Sequence, residues 1–366
     1  MLAPDSLALV VLLALGAVAL TWLTISKWKR IRSVARIACL LGMQLLVVIT
    51  CVTALNTSER LITTWSALVG STSGMTVQVH GDTTPANRGP NASAVAATSP
   101  TPSAATVAQS TVTSISIKGS KTGYDLPAQI YLPGGYDATG ERAYPVIELL
   151  AGFPGSIQSW TGGLKLKETL DGLIAASKMP PVIAVMPSQN TDSPHDSECV
   201  NATSSMKKHR GQATTYLGAD VPAYLKKHYR VSDDRANWVI GGYSTGGYCA
   251  AALALQHPDT FGSVLELSGY DEPKVDNTTG RLFATKKDRK AVTVTQLLSK
   301  PHPHLNFFLF AADDQPRDKM QMKLIADAVP SSDTVRVVTT PAGGHSPPVW
   351  RVASKAGFEW IGPTLH

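Results

Sequence analysis

Three features of the 366-residue sequence predict a doubly wound α/β domain with a mostly parallel sheet. From Thr111 onward, apolar runs of strand length alternate with longer stretches of helical periodicity, as parallel strands joined by helical crossovers require. Within that run, Trp238-Val239-Ile240 leads through Gly241-Gly242-Tyr243-Ser244-Thr245-Gly246-Gly247 into an Ala-rich stretch, giving a strand, a tight turn and a helix. A serine, a pair of aspartates and a histidine each follow a later strand, at the sheet edge where such folds hold their ligands.

The amino-terminal part has a different character. Residues 7–25 form an uncharged, mostly apolar stretch, and residues 37–55 form a second one interrupted only by Gln44, Thr50 and Thr53. Each is long enough to cross the hydrocarbon core of a bilayer. Lys27, Lys29, Arg30, Arg32 and Arg36 lie between them, so the positive-inside rule predicts a two-helix hairpin over residues 1–55 with a cytoplasmic basic loop. The net charge of +6 rests largely on that loop, and no nucleic-acid signature accompanies it. Residues 56–110 read as a juxtamembrane piece followed, from Gly81, by an Ala/Thr/Ser/Pro-rich disordered linker. The domain from 111 to 366 is then expected outside the plasma membrane, as part of a multi-pass protein.

In that domain, residues 111–117 and 126–131 read as an opening hairpin around Gly123-Tyr124-Asp125. Strands follow at 144–150 and 182–186, with a helix over 166–177 between them. A helix over 212–229, with Leu217, Val221 and Leu225 on one face, precedes the strand that ends before Ser244. Further strands are expected at 263–267, 305–312 and 334–339, with helices at 319–328 and 348–361.

The turn Gly242-x-Ser244-x-Gly246 fits a nucleophile elbow, in which a strained backbone projects the serine hydroxyl at the carboxyl edge of the sheet. Asp313 and Asp314 end the strand over 305–312, and His345 follows Gly343-Gly344 after the last strand. The order serine, acid, histidine matches the triad of hydrolases on this kind of sheet, with Asp314 preferred over Asp313 by register. Of the nine histidines, His345 alone stands in a glycine-opened loop after a strand. The Thr245 N–H, at a helix start, and the Phe153 N–H, in Ala151-Gly152-Phe153-Pro154, are the expected oxyanion donors.

Taken together, Leu150-Ala151-Gly152-Phe153-Pro154-Gly155-Ser156 with Trp160, Asp196-Ser197-Glu198-Cys199, Asp220-Val221-Pro222, the elbow, His257-Pro258-Asp259 and Gly344-His345-Ser346 resemble the esterase family. That family contains esterase D-like enzymes and the antigen 85 mycolyltransferases, and a membrane-anchored actinobacterial branch is the nearest likeness. The resemblance implies an α/β-hydrolase fold, a Ser-His-Asp triad and no metal or organic cofactor. Ala151 and Pro154 stand where the mycolyltransferases have an Asp and an Arg that contribute to trehalose binding. Trp160 matches a family tryptophan, for which substrate contact and packing of the oxyanion loop are both open.

Cys39 and Cys51 fall in the second apolar stretch, whereas Cys199 and Cys249 fall in the domain expected outside, where disulfides persist. A Cys199–Cys249 bond would pin an active-site loop beside the nucleophile; two buried thiols are the alternative. Residues 188–208, with Asp192, His195, Asp196 and Glu198, read as a polar loop that either shapes the substrate pocket or is simply solvated. Asp196, Trp160 and Tyr248 are the candidate substrate contacts. The expected function is hydrolysis of a carboxylic ester, such as an envelope lipid or an aminoacyl-phospholipid. Acyl transfer to an alcohol is the alternative, and a non-catalytic envelope-binding role is a third.

Overall fold

The computed structural model describes residues 2–83, 109–191, 195–204 and 211–366. Most of the expected linker, and Asp192 with it, lies outside these residues. The chain forms two compact units. One comprises Met1–Thr76 together with two short returns of the chain, Ala312–Gln315 and Thr340–Val349; the other comprises Val77–Ala311, Pro316–Thr339 and Trp350–His366. The sequence reading, with one domain from 111 to 366, did not anticipate that the turn after 312 and the loop after 340 would group with the amino-terminal segment.

The first unit begins with helices α1 (Leu7–Ser26) and α2 (Ser33–Glu59), both long and apolar enough to cross a membrane. Ser6 starts α1 by accepting a hydrogen bond from Leu9 N–H, and Arg60 ends α2 in the left-handed conformation, its N–H on Asn56 O. A single turn, α3 (Trp65–Leu68), follows under a Thr64 cap.

The second unit is built on a nine-stranded sheet of order β1-β9-β8-β7-β6-β4-β5-β3-β2. The strands are β1 (Gln78–Thr83), β2 (Thr111–Lys118), β3 (Asp125–Leu132), β4 (Val146–Leu150), β5 (Ile183–Pro187), β6 (Trp238–Tyr243), β7 (Ser263–Leu267), β8 (Asn306–Ala312) and β9 (Thr334–Thr340). β5, β4, β6, β7 and β8 pair in parallel, and the β2–β3 hairpin adds to β5 in antiparallel fashion. Thr334 N–H bonds Leu305 O at one end and Asp313 N–H bonds Thr340 O at the other, so β9 runs beside β8 in the same direction. The carboxyl ends of β6, β7 and β8 therefore share one edge. β4, β5, β6 and β7 are buried along their whole lengths, which is why they read as continuous apolar runs.

Helices α4 (Leu166–Ala175), α5 (Ala213–Thr215), α6 (Val221–His228), α7 (Thr245–Gln256), α8 (Lys286–Lys290), α9 (Val294–Leu298), α10 (Pro316–Ala328) and α11 (Pro347–Ile361) complete the chain. Helix α7 is buried from Thr245 to Leu255, an all-round apolar helix suited to the centre of a large core. Two corrections to the sequence reading follow. The helix expected over 212–229 is broken by a π turn at Tyr216–Asp220, where Gly218 lies against the His257 ring. And β1 occupies residues assigned to the juxtamembrane piece and linker: it pairs antiparallel with β9, with a bulge after Val79, and Asp82 forms an ion pair with Arg336.

Candidate active site

Ser244 lies in the second unit, between β6 and α7, with φ 56° and ψ −123°. A serine holds this left-handed backbone only where its surroundings impose it. Its N–H donates to Leu267 O of the neighbouring strand, and its carbonyl accepts from Gly247 and Tyr248 N–H as α7 begins. Close approach of the turn to β4 makes Gly246 obligatory, since an added Cβ would lie 2.3 Å from Leu150 O. The expected strand, strained turn and helix are thus all present.

Ala151 O accepts from the buried Gln189 amide at 2.7 Å, fixing the loop that bears Phe153, which is half-buried. Trp160 donates its indole N–H to Leu150 O at 3.1 Å and packs on Tyr243, whose other side stacks on Trp350. With 1% exposure, Trp160 packs against the loop that follows β4. Tyr248 is likewise fully buried, stacked on Tyr270, with its hydroxyl donating to Val292 O. Both side chains thus pack in the interior, which favours the packing reading that stood beside substrate contact.

Thr245 is buried, and its hydroxyl donates to Asp196 at 3.1 Å. Asp196 is itself 3% exposed and holds the Thr245 side chain. Tyr270 Oη lies 3.1 Å from Thr245 Oγ1 and 2.8 Å from both oxygens of Glu198. One phenolic hydrogen cannot serve both neighbours, and a protonated Glu198 resolves the conflict by donating to Tyr270. Burial first, and the charge of Asp196 second, push the Glu198 carboxyl up to about 8. Cys199, the next residue, is bonded to Cys249 of α7. The expected disulfide is present, and it ties the Asp196–Cys199 segment to the elbow helix.

This network has a consequence for stability. Burial also pushes Glu266 in β7 up to about 8, and the charge of Asp318 adds in the same direction. The folded chain keeps these carboxyls protonated where the unfolded chain, at the ordinary glutamate value of 4.5, has released them. Their stabilisation is fully present below that value and is lost as pH rises through about 8. The melting temperature of the full chain, followed by near-ultraviolet circular dichroism, is expected to fall over that interval. Glu198→Gln should flatten the fall; an unchanged slope would contradict the assignment.

Asp314 and His345 lie in the first unit. Asp314 Oδ2 accepts from the Thr63 hydroxyl and, at 2.9 Å, from Gly343 N–H, while Oδ1 accepts from Gly344 N–H at 3.2 Å. These contacts run to the backbone of the loop ahead of His345. Asp314 therefore braces the backbone of the histidine loop, with the two glycine N–H groups and Thr63 holding its carboxylate. Asp313, the alternative, bonds through its N–H to Thr340 O. Sequence reasoning missed Asp318, in the first turn of α10, whose charge acts on Glu266. An acid two residues after the helix-opening Pro316 was the available signal. It also missed Thr63, for which no local pattern exists, since 251 positions separate it from Asp314.

Comparison with known proteins agrees with this geometry. The family model described as "Putative esterase" matches residues 119–353. An uncharacterized protein of Corynebacterium glutamicum is 30% identical over 258 residues, 66% of this chain. The chain spans 58% of that relative's length. The MPT51 antigen of Mycobacterium leprae is 38% identical over 73 residues, 20% of this chain and 24% of that protein. Among solved structures, an S-formylglutathione hydrolase from Agrobacterium tumefaciens superposes with a TM-score of 0.58 at 16% identity, covering 72% of this chain and 98% of that one. With the family model spanning most of the chain and an elbow serine between β6 and α7, this protein belongs to the esterase family and has its α/β-hydrolase fold.

Proposed function

We propose that the chain is a membrane-tethered serine esterase acting on a carboxylic ester outside the plasma membrane, the ester being a lipid or other envelope component. The observation behind this reading is Ser244, held at φ 56° in a buried strand–turn–helix of an esterase-family chain. In the reaction, Ser244 Oγ attacks the ester carbonyl while His345 takes its proton. The N–H groups of Thr245 and Phe153 receive the oxyanion, and the alcohol leaves with the proton returned by His345. Water, activated by the same imidazole, then releases the acid. The triad acid is Asp314 or, as the alternative, Asp313, both in the turn that follows β8. Tethering by α1 and α2 is supported by their length and apolar composition and by the exposed basic residues between them.

The fate of the acyl-enzyme is tested by turning over short and long p-nitrophenyl esters with the full chain in detergent, with and without glycerol or a sugar. Free acid as the product under both conditions is the expected result. An acyl-glycerol or acyl-sugar formed at the expense of free acid would make the protein a transferase with the same intermediate. No turnover above the Ser244→Ala background would leave a binding protein.

A further inference from the structure

Residues 60–63, which leave the end of α2, are bound on both sides within the first unit. Toward the helix, Asn56 clamps Ile62: its side-chain oxygen accepts from Ile62 N–H and its amide donates to Ile62 O, each at 2.8 Å. Arg60 pairs with Asp5 at 3.3 Å, at the amino-terminal side of α1. Toward the returns of the chain, Gln315 donates its amide to Arg60 O, and Thr63 donates its hydroxyl to Asp314. The same Thr63 oxygen accepts from Gly343 N–H at 3.0 Å. Gly344, at φ +73°, sits so close that an added Cβ would lie 2.5 Å from Leu61 O and 2.7 Å from Arg60 O.

We propose that residues 60–63 are a brace for the catalytic histidine loop and that Thr63 is its positioning residue, so that catalytic competence depends on the segment joining the apolar hairpin to the domain. The proposal rests on the reading of His345 as the general base. Thr63 is 8% exposed and makes two of the contacts that set the backbone just ahead of His345. Hydrogen bonds to a carboxylate are the stronger kind, and a buried carboxylate that loses a donor seeks another. Without the hydroxyl, Asp314 and the Gly343 N–H lose their shared partner, and the His345 ring is held less well for proton transfer. A displacement on the order of 1 Å at a catalytic group lowers turnover by about 100-fold.

The test compares full-length Thr63→Val and Thr63→Ser with wild type in detergent micelles, reading kcat and KM for a p-nitrophenyl ester and the melting temperature. Thr63→Val keeps the shape and removes the hydroxyl; it is expected to lower kcat by about 10- to 100-fold while KM stays within about twofold. Thr63→Ser restores the donor and should recover kcat to within about threefold of wild type. Asn56→Ala, which touches neither Asp314 nor the histidine loop, should lower kcat in the same direction by a smaller factor. A wild-type kcat in Thr63→Val overturns the proposal, as does an equal loss in the Val and Ser variants with a lowered melting temperature. If Ser244→Ala and His345→Ala both keep wild-type turnover, the reading on which the brace rests has failed instead.

Discussion

Substituting Ser244→Ala in the full-length chain is expected to lower kcat for ester hydrolysis by about 10⁴- to 10⁶-fold, with His345→Ala close behind. Serine and histidine act as one unit, so either loss removes the covalent route, and the double variant should be no slower than the worse single. What remains is the modest acceleration that oriented N–H donors give to attack by water. The acidic residues should separate. Asn at the true acid, expected to be Asp314, costs about 10⁴-fold by leaving the imidazole in the wrong tautomer, whereas Asn at the other aspartate should cost far less. Initial rates on one ester across Asp313→Asn and Asp314→Asn read this directly. A loss of about 10⁴-fold in Asp313→Asn, with Asp314→Asn near wild type, would instead make Asp313 the triad acid.

The second large effect is on stability. The Cys199–Cys249 bond closes a loop of sequence separation 50. Removing that cross-link frees loop-closure entropy in the unfolded chain worth about 4 kcal/mol. It also releases Glu198 and Cys199, both held at positive φ near 50°, the first carrying the carboxyl that burial keeps protonated. The Cys199→Ala, Cys249→Ala pair is therefore expected to shift denaturant unfolding of the domain, followed by tryptophan fluorescence, by about 4 kcal/mol. A shift below about 1 kcal/mol would show that the network from Asp196 to Tyr270 holds this segment without the bond. Activity should fall with stability here, because Thr245 takes its side-chain orientation from Asp196 within the pinned segment.

How much of this was legible depended on whether an element reports on itself. The inner strands are buried on both faces, so Val146–Leu150, Ile183–Pro187 and Trp238–Tyr243 are apolar without alternation and were readable at once. The elbow was equally plain, since Gly242 and Gly246 surround Ser244 at the spacing the turn needs. β1 was hidden because Gln78–Thr83 is an edge strand of mostly polar composition, defined by its pairing with β9 and by nothing of its own. The π turn at Tyr216–Asp220 depends on the space that His257 leaves beside Gly218, a tertiary contact that helical periodicity does not encode. The contacts of Asp314 have the same origin. Register puts both aspartates at the end of β8, but the donors that capture Asp314 come from Thr63 and from a loop beyond β9. Trp160 and Tyr248 were legible as neighbours of the site, with packing and substrate contact both open, because an aromatic residue in a family motif looks the same whether it packs or binds.

The most direct test of the central claim is covalent labelling of the full-length chain with a fluorophosphonate, followed by peptide mass spectrometry. The account predicts a single phosphonyl adduct on the peptide containing Ser244, lost in Ser244→Ala and formed more slowly in His345→Ala. Absence of an adduct in an otherwise folded wild-type chain, or an adduct on another serine that persists in Ser244→Ala, would contradict it.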